Sequence, residues 1–412
     1  MLYLPRDDPE VAHIVQREEA RIENTLDLIA AENHAPRSIL EAQGSIFSTK
    51  AAEGYPGRRF HAGCTFADEL ESLAIKRAGQ LFGADHANLQ PHSGVSANLA
   101  VYFSALDVGD RILSMKLSHG GHLSHGDPSS VTSSCFNFQH YGLDDSTEQI
   151  NYDEVRKVAN AFEPHMIIAG ASSYPRLIDY KLMSDIAGSV GAYLLVDMAH
   201  IAGLVAAGVI PSPVPHADFV TFTTYKTLKG GRGGVILCKK EHAAKISKTI
   251  FPGAQGTPSL NLLAAKAVCL KLAMEPGFKQ EQIKTLENAA AFAGGFEKKG
   301  YRIVSGGTDN HLVLVDLRAK GLTGDIAEKT LESVGIVVNR NVIPGDPEKP
   351  DVTSGIRIGS PGITTRGMGE VEVAQIVEFM DSAMVNRDRP RELENVADGV
   401  AGLCRRFPVY PD

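Results

Sequence analysis

Apolar and polar positions alternate along this chain in two periods. Between Gln16 and Ala31 the apolar residues Ala20, Ile22, Leu26, Leu28 and Ile29 recur among charges, which predicts an amphipathic helix. The same pattern predicts helices over Asp68–Phe82, Ser96–Leu106, Lys181–Val190 and Pro258–Ala273. Short aliphatic and β-branched runs predict strands at Arg111–Met115, Met166–Ala169, Tyr193–Val196, Phe219–Thr223 and Val235–Cys238. Helices alternating with strands imply an α/β fold with a mainly parallel sheet wrapped by helices.

After a charge-rich helical stretch at Gln280–Lys299 the texture changes. Strands are predicted at Arg302–Val304, Leu312–Leu317 and Ile336–Asn339, with helices at Asp325–Val334 and Glu370–Met384, which reads as a smaller α+β domain. A length of 412 residues exceeds what one core usually serves. The expected division is an N-terminal arm over residues 1–50, a large domain over 51–280 and a small C-terminal domain over 281–412.

Charge and cysteine usage narrow the partners. Lys and Arg number 41 against 49 Asp and Glu, a net charge of -8 with no basic block, so neither nucleic acid nor an anionic membrane is expected and a small molecule is. The N-terminus lacks a secretory or transit pattern, and no span approaches a membrane helix. Cys64, Cys135, Cys238, Cys269 and Cys404 are odd in number and far apart, as reduced thiols of a cytoplasmic protein would be.

In an open α/β sheet ligands sit beyond the carboxyl ends of the strands. There the run Tyr193–Val196 ends in Asp197, and the run Phe219–Thr223 leads to Lys226 and a glycine-rich loop. A third element, Gln90-Pro-His-Ser-Gly94, runs into a helix, and the amides there suit a phosphate, with Ser93 adding a hydroxyl and Gly94 close backbone approach. Singly, these are ordinary cap, turn and loop residues; together they fit pyridoxal phosphate, which needs a lysine, an acid at the ring nitrogen and a phosphate cradle. Neither GxxxxGK[ST] nor a GxGxxG opening a βαβ unit is present, so a nucleotide reading loses. His119, His122 and His125 stand three apart, yet the intervening glycines oppose a common helix face and no carboxylate or cysteine completes a metal set. A ring packed on a flat cofactor fits them better.

The strings Glu53-Gly-Tyr-Pro-Gly-Arg-Arg59, Gln90–Gly94, Ser118-His-Gly-Gly-His-Leu-Ser-His125, Val196-Asp-Met-Ala-His-Ile-Ala-Gly-Leu-Val205, Tyr225–Gly234, Ser305-Gly-Gly-Thr-Asp-Asn-His311 and Ser354-Gly-Ile-Arg357 run in one order over nearly the whole chain. In this the sequence resembles the serine hydroxymethyltransferases. The resemblance implies a fold type I pyridoxal-phosphate enzyme: a large domain with a mainly parallel seven-stranded sheet, a smaller α+β domain, and a site shared across a homodimer, alone or paired into a tetramer. It makes Lys226 the covalent anchor of the cofactor, Asp197 the partner of the ring nitrogen and His122 the stacked ring. Ser172, His200 and Thr223 would contact the cofactor, with Ser93 and Gly94 at its phosphate. Arg357 would hold the substrate carboxylate, and Glu53, from the neighbouring subunit, would be the acid–base group. Tetrahydrofolate would take up the one-carbon unit at Leu117, Gly121, Leu123 and Asn341.

Several positions depart from the family pattern. Ala31 stands where a serine is usual, Ala51 replaces a tyrosine, and Phe60 and His61 replace two more. Val95 and Thr257 replace small residues, and Tyr225 a histidine. Ala51, Val95, Tyr225 and Thr257 are expected at the cofactor phosphate, with Tyr225 returning a lost hydroxyl there. Ala31, Phe60 and His61 are expected near the substrate; Phe60 and Ala31 remove polar handles, and truncation at Ala31 and Ala51 makes room. That motivates a substrate carrying an α-methyl group, or a folate-independent aldolase of β-hydroxy amino acids, as alternatives to serine. A non-catalytic cofactor binder is opposed by the intact Lys226, Asp197, Arg357 and Glu53.

Overall fold

The computed structural model describes residues 3–411; residues 1, 2 and 412, the outermost of the expected arm and small domain, lie outside the described residues. The chain divides into two compact units, residues 35–283 and residues 3–34 with 284–411.

The central unit is built on seven strands: β1 (His86–Asn88), β2 (Arg111–Met115), β3 (Asn137–Tyr141), β4 (Met166–Ala169), β5 (Tyr193–Asp197), β6 (Phe219–Thr223) and β7 (Gly234–Cys238). Their order across the sheet is β1-β7-β6-β5-β4-β2-β3. All pairings from β6 to β3 are parallel, whereas β7 runs antiparallel to both β6 and β1. Strands β4, β6 and β7 are buried at every residue, as continuous apolar runs are when helices cover both faces of a sheet. One such helix, Gly94–Ala105, packs Ala97, Ala100, Val101 and Tyr102 against Ile112, Ile168, Leu195 and Phe219. The register sets Asp197, the last residue of β5, beside Thr221 of β6.

The other unit carries a four-stranded antiparallel sheet in the order Arg302–Ile303, Leu312–Asp316, Gly355–Gly359, Asn339–Asn341. The N-terminal helix differs from expectation: it spans Pro9–Asn24 and stops at Thr25, whose backbone is extended. Leu26–Asp27 then forms a strand parallel to Ile336–Val337. The apolar positions Leu26, Leu28 and Ala30, all fully buried, belong to a two-residue alternation that overlaps a helical spacing. The expected strand Ile336–Asn339 is two strands, because Ile336–Val337 pairs with Leu26–Asp27 and Asn339–Asn341 with Gly355–Gly359.

Arg366, buried in this unit, closes two helix ends. Its guanidinium donates to the carbonyls of Glu23 (3.1 Å), Thr25 (2.7 Å), Cys404 (3.1 Å) and Phe407 (2.7 Å), which lie at the carboxyl ends of the helices Pro9–Asn24 and Pro390–Arg406, where carbonyls run short of backbone donors; Cys404 O also accepts from Phe407 N at 3.2 Å. Arg366→Ala strands these acceptors and should destabilise the unit by about 3 kcal/mol, with Arg366→Lys in between; thermal unfolding checks both.

Candidate active site

The carboxyl ends of β5 and β6 open into a pocket of the central unit. Its lining includes Ser93, Gly94, Val95, His122, His125, Ser172, Asp197, His200, Thr223, Tyr225 and Lys226. The acid and the amine that the sequence puts at neighbouring strand ends therefore share one cavity.

Lys226 sits on a braced turn. Thr224 donates through Oγ1 to Gly231 O, Gly230 N donates to Thr224 O at 2.7 Å, and Lys229 N to Lys226 O at 2.9 Å. The next hydroxyl, Thr227 Oγ1, donates to His200 O (2.9 Å) and accepts from Gly203 N (2.9 Å), tying the turn to the helix after β5. Lys226 itself is buried. The Arg232 guanidinium lies 4.5 Å from the centre of the Tyr225 ring, a cation–π contact that covers one face of the phenol.

Asp197 is held by residues from two other segments and by the main chain that follows it. Asn98 Nδ2 donates to its Oδ2 at 2.8 Å, His125 Nε2 lies 3.1 Å from the same oxygen, and Ala199 N donates to Oδ1 at 3.0 Å. Asn98 is oriented by Thr221, whose hydroxyl donates to its Oδ1 at 2.6 Å. Burial acts to raise the Asp197 pKa, but the His125 hydrogen bond, the charges of His125 and His122 and the Asn98 hydrogen bond prevail, so the carboxyl stays well below its usual range. His122 is the opposite case. Burial, with the charges of His125 and Lys226 adding to it, lowers its pKa to about 4, so at neutral pH it is an uncharged flat ring, with Ser124 Oγ 2.8 Å from its Nδ1.

His125 and Asn98 are the functional positions that the motifs left unassigned. The three-residue spacing of His119, His122 and His125 carried a signal for the first; nothing local marks Asn98, mid-helix and 99 residues from Asp197. His119 leaves this group, and its Nδ1 accepts from Leu143 N at 2.8 Å. Ser172 pins the preceding loop by donating to Gly121 O at 2.7 Å. On either side of Gly121 the one-turn helices Leu117–His119 and Leu123–His125 leave Leu117 and Leu123 exposed.

Glu53, His61 and Thr257 form a second group in the central unit. His61 Nε2 lies 2.8 Å from the Glu53 carboxylate, and Thr257 hydrogen-bonds it too. The Thr257 hydrogen bond, the Glu53 amide and His61 together lower the Glu53 pKa against a slight opposing burial. Thr257, expected at the phosphate, does not line the pocket of Lys226. Arg357, Ala31 and Asn341 belong to the other unit. Arg357 lies on the strand Gly355–Gly359 and donates through Nε to Asn339 Oδ1 at 3.1 Å; burial lowers its pKa to about 10, which leaves it charged at neutral pH. Asn341 donates to Val342 O at 2.7 Å, and Ala31 is half-buried.

The family model of serine hydroxymethyltransferase matches residues 4–380. The chain belongs to the serine hydroxymethyltransferase family. It is therefore a hydroxymethyltransferase of fold type I, a pyridoxal-phosphate enzyme of serine–glycine one-carbon metabolism. The pocket fits the cofactor that serine hydroxymethyltransferases use. Thr223 Oγ1 is buried in its wall without a hydrogen-bond partner, a site that a bound molecule would satisfy. A Cβ at Gly94 would come within 2.8 Å of Thr223 Cγ2, so glycine lets the start of the helix Gly94–Ala105, whose amides suit an anion, pack closely on Thr223. An ionised carboxylate and an uncharged ring complete the requirements of a protonated pyridine.

Removing a donor from Asp197 leaves burial less opposed, so its carboxyl protonates at higher pH. Asn98→Ala and His125→Phe should each weaken cofactor binding about tenfold, about 1.4 kcal/mol, and move the acid limb of binding upward in pH. Absorbance titrations between pH 4 and 8 check this.

Proposed function

We propose that the protein transfers the hydroxymethyl group of serine, or of an α-substituted serine, to tetrahydrofolate by retro-aldol cleavage. The observation that carries this reading is the convergence of Lys226, Asp197, His122 and the Ser93–Gly94 turn on one pocket. Bound pyridoxal phosphate supplies an electron sink for the bond between the α and β carbons. Lys226, buried in the pocket, would hold it through its amine. Asp197 stays ionised and would keep the proton on the ring nitrogen, and the uncharged His122 would pack on the ring. Arg357 takes the substrate carboxylate, which a planar guanidinium does in two-pronged fashion.

Glu53 is the group that accepts the proton of the substrate hydroxyl; its pKa is lowered, which favours the base form. Glu53 would serve the site of a second subunit, as the family resemblance implies, so the working form would be a homodimer or a pair of dimers. The exposed Leu117 and Leu123 offer apolar cover to a flat pterin, with Gly121 between them and Asn341 completing the folate contacts. All five cysteines are free thiols, which supports a cytoplasmic setting. No helix among the described residues is long and apolar enough to cross a membrane.

The choice of substrate turns on Ala31, Phe60 and His61. Phe60 packs edge-on against Phe251 at 5.3 Å and His61 is engaged by Glu53, so neither provides the phenol usual there. This favours an α-methyl substrate as the second reading. Turnover of L-serine and α-methylserine, each with and without tetrahydrofolate, discriminates. We expect folate-dependent cleavage, with α-methylserine accepted; serine turnover alone would remove the α-methyl reading, and full activity without folate the transferase.

Tyr225 supplies a hydrogen bond to the cofactor phosphate in place of the usual histidine. Tyr225→Phe keeps a ring for Arg232 to cover and deletes the hydroxyl alone, so cofactor affinity should fall about tenfold. Unchanged affinity in a direct titration would contradict this role.

A further inference from the structure

Lys266 is a buried cation with no part in the reading above. It lies on the helix Leu260–Ala273, 2 % exposed, and its Nζ donates to the main-chain oxygens of Leu89 (2.7 Å), Pro91 (3.0 Å) and Gly234 (2.9 Å). Three carbonyls engage all three N–H groups of an ammonium. Leu89 and Pro91 lead into the Ser93–Gly94 turn, and Gly234 ends the loop that begins at Lys226; Gly234 N also donates to Pro91 O at 3.0 Å. The glycine before it makes room for this contact, because a Cβ at Gly233 would lie 2.2 Å from Lys266 Cε.

The charged groups facing Lys266 do not neutralise it. The acid acting on it is Glu71, from the helix Thr65–Phe82, and that carboxylate is already taken by Arg59 at 2.6 Å and Gln90 at 2.8 Å. A buried cation that lacks its own counter-ion is costly, and an anion brought to the neighbouring turn would offset the cost.

We propose that Lys266 is a positioning residue for the cofactor phosphate: it locks the Gln90–Gly94 turn to the end of the Lys226 loop and supplies the charge that a phosphate dianion balances. The inference rests on pyridoxal phosphate binding in this pocket. Burial lowers the Lys266 pKa to about 7 while the three carbonyls favour the ammonium, so without ligand the amine holds its proton less tightly than an exposed lysine does. A nearby dianion draws the proton back. Binding above neutral pH therefore takes up a proton, and the phosphate-dependent part of the affinity weakens as pH rises.

The test titrates full-length cofactor-free protein, wild type and Lys266→Met, with pyridoxal 5′-phosphate and with pyridoxal between pH 6.5 and 9. The Met variant should lose affinity for pyridoxal phosphate at least about tenfold at pH 6.5 and keep that for pyridoxal. The advantage of the phosphate-bearing ligand should fall with pH in the wild type and stay flat in the variant. Equal losses for both ligands, no loss, or a wild-type pH dependence retained in the variant each overturn the proposal. Circular dichroism verifies folding. Should the variant not fold, proton uptake by the wild type in weakly buffered solution at pH 8 decides: uptake with pyridoxal phosphate and not with pyridoxal supports the role, and equal uptake refutes it. A wild type that binds neither ligand removes the cofactor reading itself, and the inference with it.

Discussion

A carboxylate buried at the end of a sheet costs several kcal/mol unless the protein solvates it, and the central unit is organised around meeting that cost at Asp197. Its donors come from a helix, a one-turn helix and the following main chain. Thr221 turns Asn98, and the parallel register of β5 with β6 puts Thr221 beside Asp197. Ser124 accepts from Asn98 at 3.0 Å and meets His122, while the buried Tyr102 hydroxyl donates to Ser124 O at 3.0 Å. A shift of one strand by one residue would turn Thr221 to the other face and disconnect the network.

The central sheet was largely legible in the sequence because its strands are short apolar runs buried on both faces. β2, β4 and β6 have the bounds that their runs predict. Strands of mixed character were not legible: β3, Asn137–Tyr141, carries polar residues at an outer position, and β1 is three residues long. Gly355–Gly359, which bears Arg357, has glycine at both ends and too few apolar residues to stand out. At the pocket, chemistry at strand ends made Asp197 and Lys226 visible. Asn98 and Lys266 were invisible because what marks them is the company they keep in space, which no local pattern encodes.

The substitutions that distinguish this chain are redistributed rather than vacant. His61 and Thr257 gather on Glu53, and Tyr225 lies under Arg232, so each of these polar groups has a partner of its own. Phe60 gives up a hydroxyl and packs against Phe251.

The pairing of Leu26–Asp27 with Ile336–Val337 makes one of the two units discontinuous in sequence. During synthesis the first strand leaves the ribosome about 300 residues before its partner, a delay of the order of 15–60 s at usual elongation rates. Throughout that interval Leu26 and Leu28 have no sheet to join, whereas residues 35–283 can already complete theirs. The N-terminal segment is thus the part of the chain with the longest wait for its native neighbours, and the natural place for a chaperone to engage a nascent molecule.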